Sequence, residues 1–220
     1  MSFRTSMIIF VLAVAGHLQA SAQESDVGKV LHFPPNRILG TVETRPIRER
    51  TTLPEFVGEW ENPVEATGTV HVPPGHEVQL WVSADAAKDL SFLRKLPADG
   101  IYSLNMWRSR ANDDQAAHVA ALTGLRQLRL EDTRLTPEGL KKLATLTQLE
   151  SLSYDAYIAN MDLQRSTNSD PFAPRQTNYD LLKYGFDDEA ASVFKSMPKL
   201  RMLSLRMNPI SYMSLLHIGT

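Results

Sequence analysis

The chain has 220 residues, 43% of them hydrophobic and 22% charged, with a formal net charge of -2 at pH 7. That apolar fraction is enough to bury a core at this length and excludes global disorder, while the near balance of charge offers no broad basic field for phosphate backbones or anionic lipid. The absence of cysteine excludes disulfide frameworks, thiolate zinc sites, cysteine nucleophiles, redox dithiols and a lipid-modified N-terminal cysteine together.

At the N-terminus Arg4 is the only charge ahead of an apolar run from Met7 to Ala15, and Ala20-Ser21-Ala22 follows with small residues where a signal peptidase reads them. This pattern predicts a cleavable signal peptide over residues 1–22 and an exported product that is periplasmic, at the cell surface or extracellular. The run is about nine residues where a helical membrane span needs about 20, so no transmembrane segment is expected after cleavage.

Residues 23–75 are rich in proline and hold short β-like runs, predicting a small β-rich N-terminal cap region. The clearest signal is Gly68-Thr69-Val70-His71-Val72, a turn at Pro73-Pro74-Gly75, and then Glu77-Val78-Gln79-Leu80-Trp81-Val82, which reads as a hairpin.

From residue 76 onward a period takes over. Leu125-Arg126-Gln127-Leu128-Arg129-Leu130 recurs 24 residues later as Leu149-Glu150-Ser151-Leu152-Ser153-Tyr154 and 24 residues earlier as Ile101-Tyr102-Ser103-Leu104-Asn105-Met106. A further step back reaches Leu80 and Val82. Beyond Tyr154 the register continues at Tyr179 and Leu181, then at Leu203 and Leu205. Six strands are expected, ending at Val82, Met106, Leu130, Tyr154, Leu181 and Leu205.

Within the unit from Leu125 to Leu149, Leu128 and Leu130 alternate with polar Gln127, Arg129 and Glu131, as a strand with one buried face requires. Thr136-Pro137-Glu138-Gly139 then reads as a helix start with a hydroxyl at the N-cap, and Leu140, Leu143 and Leu146 return to the core at near-helical spacing. The Asp113-Asp114 and Asp187-Asp188-Glu189 runs fall at expected helix starts, where the helix dipole accounts for them.

The unit Leu-x-x-Leu-x-Leu-x-x-Thr-x-Leu-Thr-x-x-Gly-Leu-x-x-Leu-x-x-Leu, from Leu125 to Leu146, resembles the leucine-rich repeats of about 24 residues common in exported bacterial proteins. The resemblance covers about residues 78–220 and is looser after Tyr154. It implies an α/β fold: a leucine-rich-repeat solenoid with parallel short strands on a concave face and helices and turns on a convex face, behind the β-rich N-terminal cap. The domain so defined is 76–220, and its ending at Thr220 without a closing leucine or polar cap predicts that it is incomplete at the C-terminus. Residues 155–178, with Asp170-Pro171-Phe172-Ala173-Pro174, predict an irregular convex loop or an insertion.

On such a scaffold the outward strand residues form columns. One runs Gln79, Ser103, Gln127, Ser151, Asn178, Met202; the next Trp81, Asn105, Arg129, Ser153, Asp180, Ser204; the third Ser83, Trp107, Glu131, Asp155, Leu182, Arg206. With strands about 4.8 Å apart, Trp81, Asn105, Trp107, Arg129 and Glu131 should form one patch. Either the patch meets a partner, or Trp81 packs on the cap while Trp107 shields its neighbour. The histidines show no metal spacing, although His71 and His76 flank the expected hairpin turn and could meet across it. No catalytic, cofactor or metal motif is present, so the chain reads as a noncatalytic interaction module for a protein or glycan ligand, with no nucleic-acid role. The alternatives are the N-terminal noncatalytic portion of a larger exported enzyme or receptor, or a structural envelope protein.

Overall fold

The computed structural model describes residues 9–11, 28–48, 60–155 and 188–206. Among them are ten strands: β1 (Ile9–Val11), β2 (Lys29–His32), β3 (Gly40–Pro46), β4 (Glu61–Glu65), β5 (Thr69–Val72), β6 (His76–Val82), β7 (Ser103–Asn105), β8 (Gln127–Leu130), β9 (Ser151–Asp155) and β10 (Met202–Arg206). Eight build one mixed sheet in the order β1-β10-β9-β8-β7-β6-β3-β4, while β2 and β5 pair separately.

From β6 to β10 the neighbouring strands are parallel and follow chain order. Leu80 stands opposite Leu104, Leu104 opposite Leu128, Leu128 opposite Leu152 and Leu152 opposite Leu203. All five leucines are fully buried. Each withdraws an apolar side chain from water, a contribution of about 1.5–3 kcal/mol apiece, which favours leucine at this one position in each of the five strands.

The strands are also entered in one manner. A tight turn bonds Leu125 N–H to Leu122 C=O at 2.9 Å, and the same turn recurs from Leu149 to Leu146 and from Leu200 to Met197, each at 3.0 Å. The amides of Tyr102, Arg126, Glu150 and Arg201 then donate to the carbonyls of Val78, Tyr102, Arg126 and Glu150 at 2.7–3.0 Å, tying each strand to its predecessor. Beyond β7 and β8 the chain turns at Arg108 and Asp132, 24 positions apart, with φ of 59° and 55°.

Behind the sheet run α1 (Asp113–Val119), α2 (Pro137–Lys141), α3 (Asp188–Ala191) and short 3-10 turns such as Ser91–Lys95 and Lys142–Thr145. Their apolar sides, including Phe92, Leu93, Val119, Leu140, Leu143 and Phe194, join the leucine row in one core. At the first of these turns a hydrogen bond from Ser91 holds the Asp89 carboxyl below the usual carboxylate range.

Two local expectations need correction here. Thr136 occupies the N-cap position of α2, but its hydroxyl caps nothing; it donates to the Asp113 carboxylate at 2.6 Å while its amide donates to the same group at 2.8 Å. Asp113 is therefore more than a residue favoured by the helix dipole, because it bonds α1 to the start of α2.

The N-terminal strands are paired differently from the hairpin expected at Pro73-Pro74-Gly75. β5 pairs antiparallel with β2, and β6 pairs antiparallel with β3 along Gly40–Pro46. With β7 on one edge of β6 and β3 on the other, no edge is left for β5, and Val70 and Val72 bury instead with Leu31. β3 thus occupies the side of β6 remote from β7, and β4 flanks β3. An Arg45–Glu77 ion pair of 2.9 Å joins β3 to β6, with the Arg45 guanidinium 4.1 Å above the Trp60 ring and 5.4 Å from that of Tyr102.

At the other end β9 pairs directly with β10 through Leu152 and Leu203. Ser204 therefore stands opposite Ser153 in the second column. Residues 179–181, the expected loop at 155–178 beyond Asp155 and the end of the chain at Thr220 lie outside the described residues, as does the expected signal peptide apart from β1. The backbone of β1 pairs antiparallel with β10, Phe10 opposite Leu203.

Candidate functional site

Opposite the leucine row, the sheet carries polar and aromatic side chains. The first column proves closed to solvent: Gln79, Ser103, Gln127 and Ser151 are each at most 3% exposed. Gln79 explains part of this, since its amide donates to Glu43 of β3 at 2.8 Å and its oxygen accepts from the Ser103 hydroxyl at 3.0 Å. Gln79 and Ser103 thus join β3, β6 and β7, and these four positions leave little surface for a ligand.

All five expected patch residues are brought together, but they divide into two groups. Asn105 and Glu131 are buried, at 3% and 7% exposure. The Asn105 side-chain Oδ1 accepts the Trp107 backbone amide at 3.1 Å, fixing the turn on which Trp107 stands. Glu131 is ion-paired with Arg129 and accepts the Ser153 hydroxyl at 2.5 Å. Both are positioning groups.

Trp81, Trp107 and Arg129 remain half-buried. The two indoles meet edge to face, with centroids 6.3 Å apart and planes at 72°. The Arg129 guanidinium lies 5.1 Å from the Trp107 centroid. Trp81 is also the register partner of Thr41 on β3, so it borders the N-terminal strands as well as Trp107.

Arg108 belongs to this cluster and was not among the expected residues. Its guanidinium lies 4.5 Å over Trp107 and bonds Asp132 at 3.3 Å. The signal was present in the sequence, because Arg108 and Asp132 occupy the same position one period apart, where opposite charges face each other. Each guanidinium is drawn to the Trp107 ring through its quadrupole, at about 0.5–1 kcal/mol apiece where water has access.

Other polar groups are dispersed. His71 faces Val30, His76 faces Pro46 and bonds the Pro74 carbonyl at 2.8 Å, so they do not meet across a hairpin. His118 accepts from Arg94 at 2.9 Å. Among the described residues no group of three or more His, Asp or Glu residues is arranged to hold a metal ion, and no helix is long and apolar enough to cross a membrane.

No family model matches the chain, and no curated protein matches it.

Proposed function

We propose that this chain is a nonenzymatic binding module of the leucine-rich-repeat type, exported by its leader, that engages a protein or glycan through Trp81, Trp107 and the guanidiniums of Arg108 and Arg129. The repeat reading is supported by the 24-residue register in which Leu80, Leu104, Leu128 and Leu152 pair. Export is supported by Arg4, the apolar run that follows and Ala20-Ser21-Ala22.

The observation that carries the functional reading is the construction of the aromatic cluster. Its solvent-facing members, half-buried Trp81, Trp107 and Arg129 with exposed Arg108, are large, flat and amphipathic, and its buried members, Asn105 and Glu131, hold Trp107 and Arg129 in place. A contact surface of this kind loses little side-chain freedom when a partner arrives, and Trp and Arg are the residues that dominate such contacts.

The test is site-specific photo-crosslinking in the exporting cell, together with a printed array of defined glycans probed with the purified chain. A photoreactive residue in place of Trp81 should trap a discrete adduct, or the array should show discrete binding, where the same residue in place of exposed Lys95 traps nothing. Trp107→Ala should weaken the interaction by about 2 kcal/mol, roughly 30-fold in Kd, with the fold intact by circular dichroism. Binding that is indifferent to Trp107→Ala, or no binding in either assay, defeats the reading.

A further inference from the structure

The two ends of the main sheet are finished differently. β4 is exposed at all five positions, carries Pro63, has glutamate at both ends and turns Asn62 to a φ of 51°. Each of these features discourages another strand from adding. Toward the opposite end, β10 lies just inside β1 and is Met202-Leu203-Ser204-Leu205-Arg206, with no proline, an uninterrupted register against β9 and a charge only at its last position. Leu203 and Leu205 are buried, whereas Ser204 retains some exposure.

Among the described residues the outer edge of β10 is paired by β1 alone, antiparallel, with Ile9 opposite Ser204 and Val11 opposite Met202. That edge therefore accepts an antiparallel strand, and its occupant belongs to the segment read as a leader. Removal of residues 1–22 would vacate a row of backbone donors and acceptors.

We propose that β10 then pairs with β10 of a second copy of this chain, an inference that rests on the leader being cleaved. Its alternation reads alike in both directions about Ser204, which is what a self-pairing edge requires. A twofold axis normal to the sheet at Ser204 sets Ser204 against Ser204 of the second copy, Leu203 against Leu205 and Met202 against Arg206. The leucines of both copies then share one face, the two cores meet, and no charge faces its like.

The full reading frame is expressed in an exporting host, the N-terminus of the purified product is read by mass spectrometry, and its association is followed by sedimentation equilibrium. The expected product begins at Gln23 and is a dimer. Ser204→Lys and Ser204→Glu, each placing like charges face to face, should weaken association at least roughly tenfold without altering circular dichroism, and an equimolar mixture of the two should restore the dimer. A product retaining residues 1–22 sinks the export reading and this inference with it. A product beginning at Gln23 that is monomeric, a dimer indifferent to both substitutions, or a mixture that fails to recover overturns the edge pairing alone.

Discussion

Leu128 and Trp107 lie on neighbouring turns of chain and serve opposite purposes. Leu128 is fully buried between Leu104 and Leu152, so its side chain has no contact left to make except with its own fold. Truncating it opens a cavity between strands that are fixed on both sides by backbone hydrogen bonds and cannot collapse freely. Leu128→Ala should therefore lower the unfolding free energy by about 2–5 kcal/mol, read from urea denaturation, with native circular dichroism before the transition. A loss below about 1 kcal/mol would mean that the row is loosely packed. Trp107, half-buried and braced by Arg108 and Arg129, should show the reverse balance, with little change in stability and a loss of partner binding.

At the scale of elements, the decisive bonds are those that cross from one turn of chain to the next. Asp113 receives the amide and the hydroxyl of Thr136, and its backbone carbonyl accepts Lys142 Nζ at 2.9 Å. Gly139 faces the same carboxylate so closely that a Cβ there would lie 2.1 Å from Asp113 Oδ1. Asp113→Ala should cost about 1.5–3 kcal/mol in thermal or urea unfolding, the range for hydrogen bonds to a charged group, and Thr136→Ala in that background should add little because the two act as one contact. Fully additive losses would show that Asp113 and Thr136 act independently. These bonds also mark what was legible in the sequence. The leucine spacing contained the register of β6 to β9, because a buried row must repeat at the period of the chain that returns to it. The Trp81–Trp107–Arg129 cluster followed from the same period. The partner of Asp113 did not follow, since a carboxylate at a helix start satisfies a local rule and nothing local announces a second bond. The direct pairing of β9 with β10 was not legible in the spacing, because apolar periodicity marks which residues bury and not which strand lies beside which. The pairing of β5 with β2 was equally hidden, being a choice among partners distant in sequence.

On the scale of the whole molecule, the N-terminal strands and the parallel strands are joined chiefly along one seam, where β3 lies against β6. Arg45 and Glu77 sit on that seam with side-chain exposures of 10% and 7%, and the ring of Trp60 covers the guanidinium. Removing one charge leaves the other buried without its main counterion, a loss of about 3–5 kcal/mol where no water can replace it. If each turn of chain leans mainly on its neighbours, this damage should spread from the seam and fade with distance. Glu77→Ala is accordingly expected to accelerate hydrogen exchange first in β3 and β6, then in β7, while amides of β8 and β9 keep most of their protection. Mass-spectrometric exchange on the full chain resolves these segments. A uniform loss of protection from β3 to β9 would instead identify the sheet as a single cooperative unit, in which the seam sets the stability of every strand and truncation at either end would unfold them all.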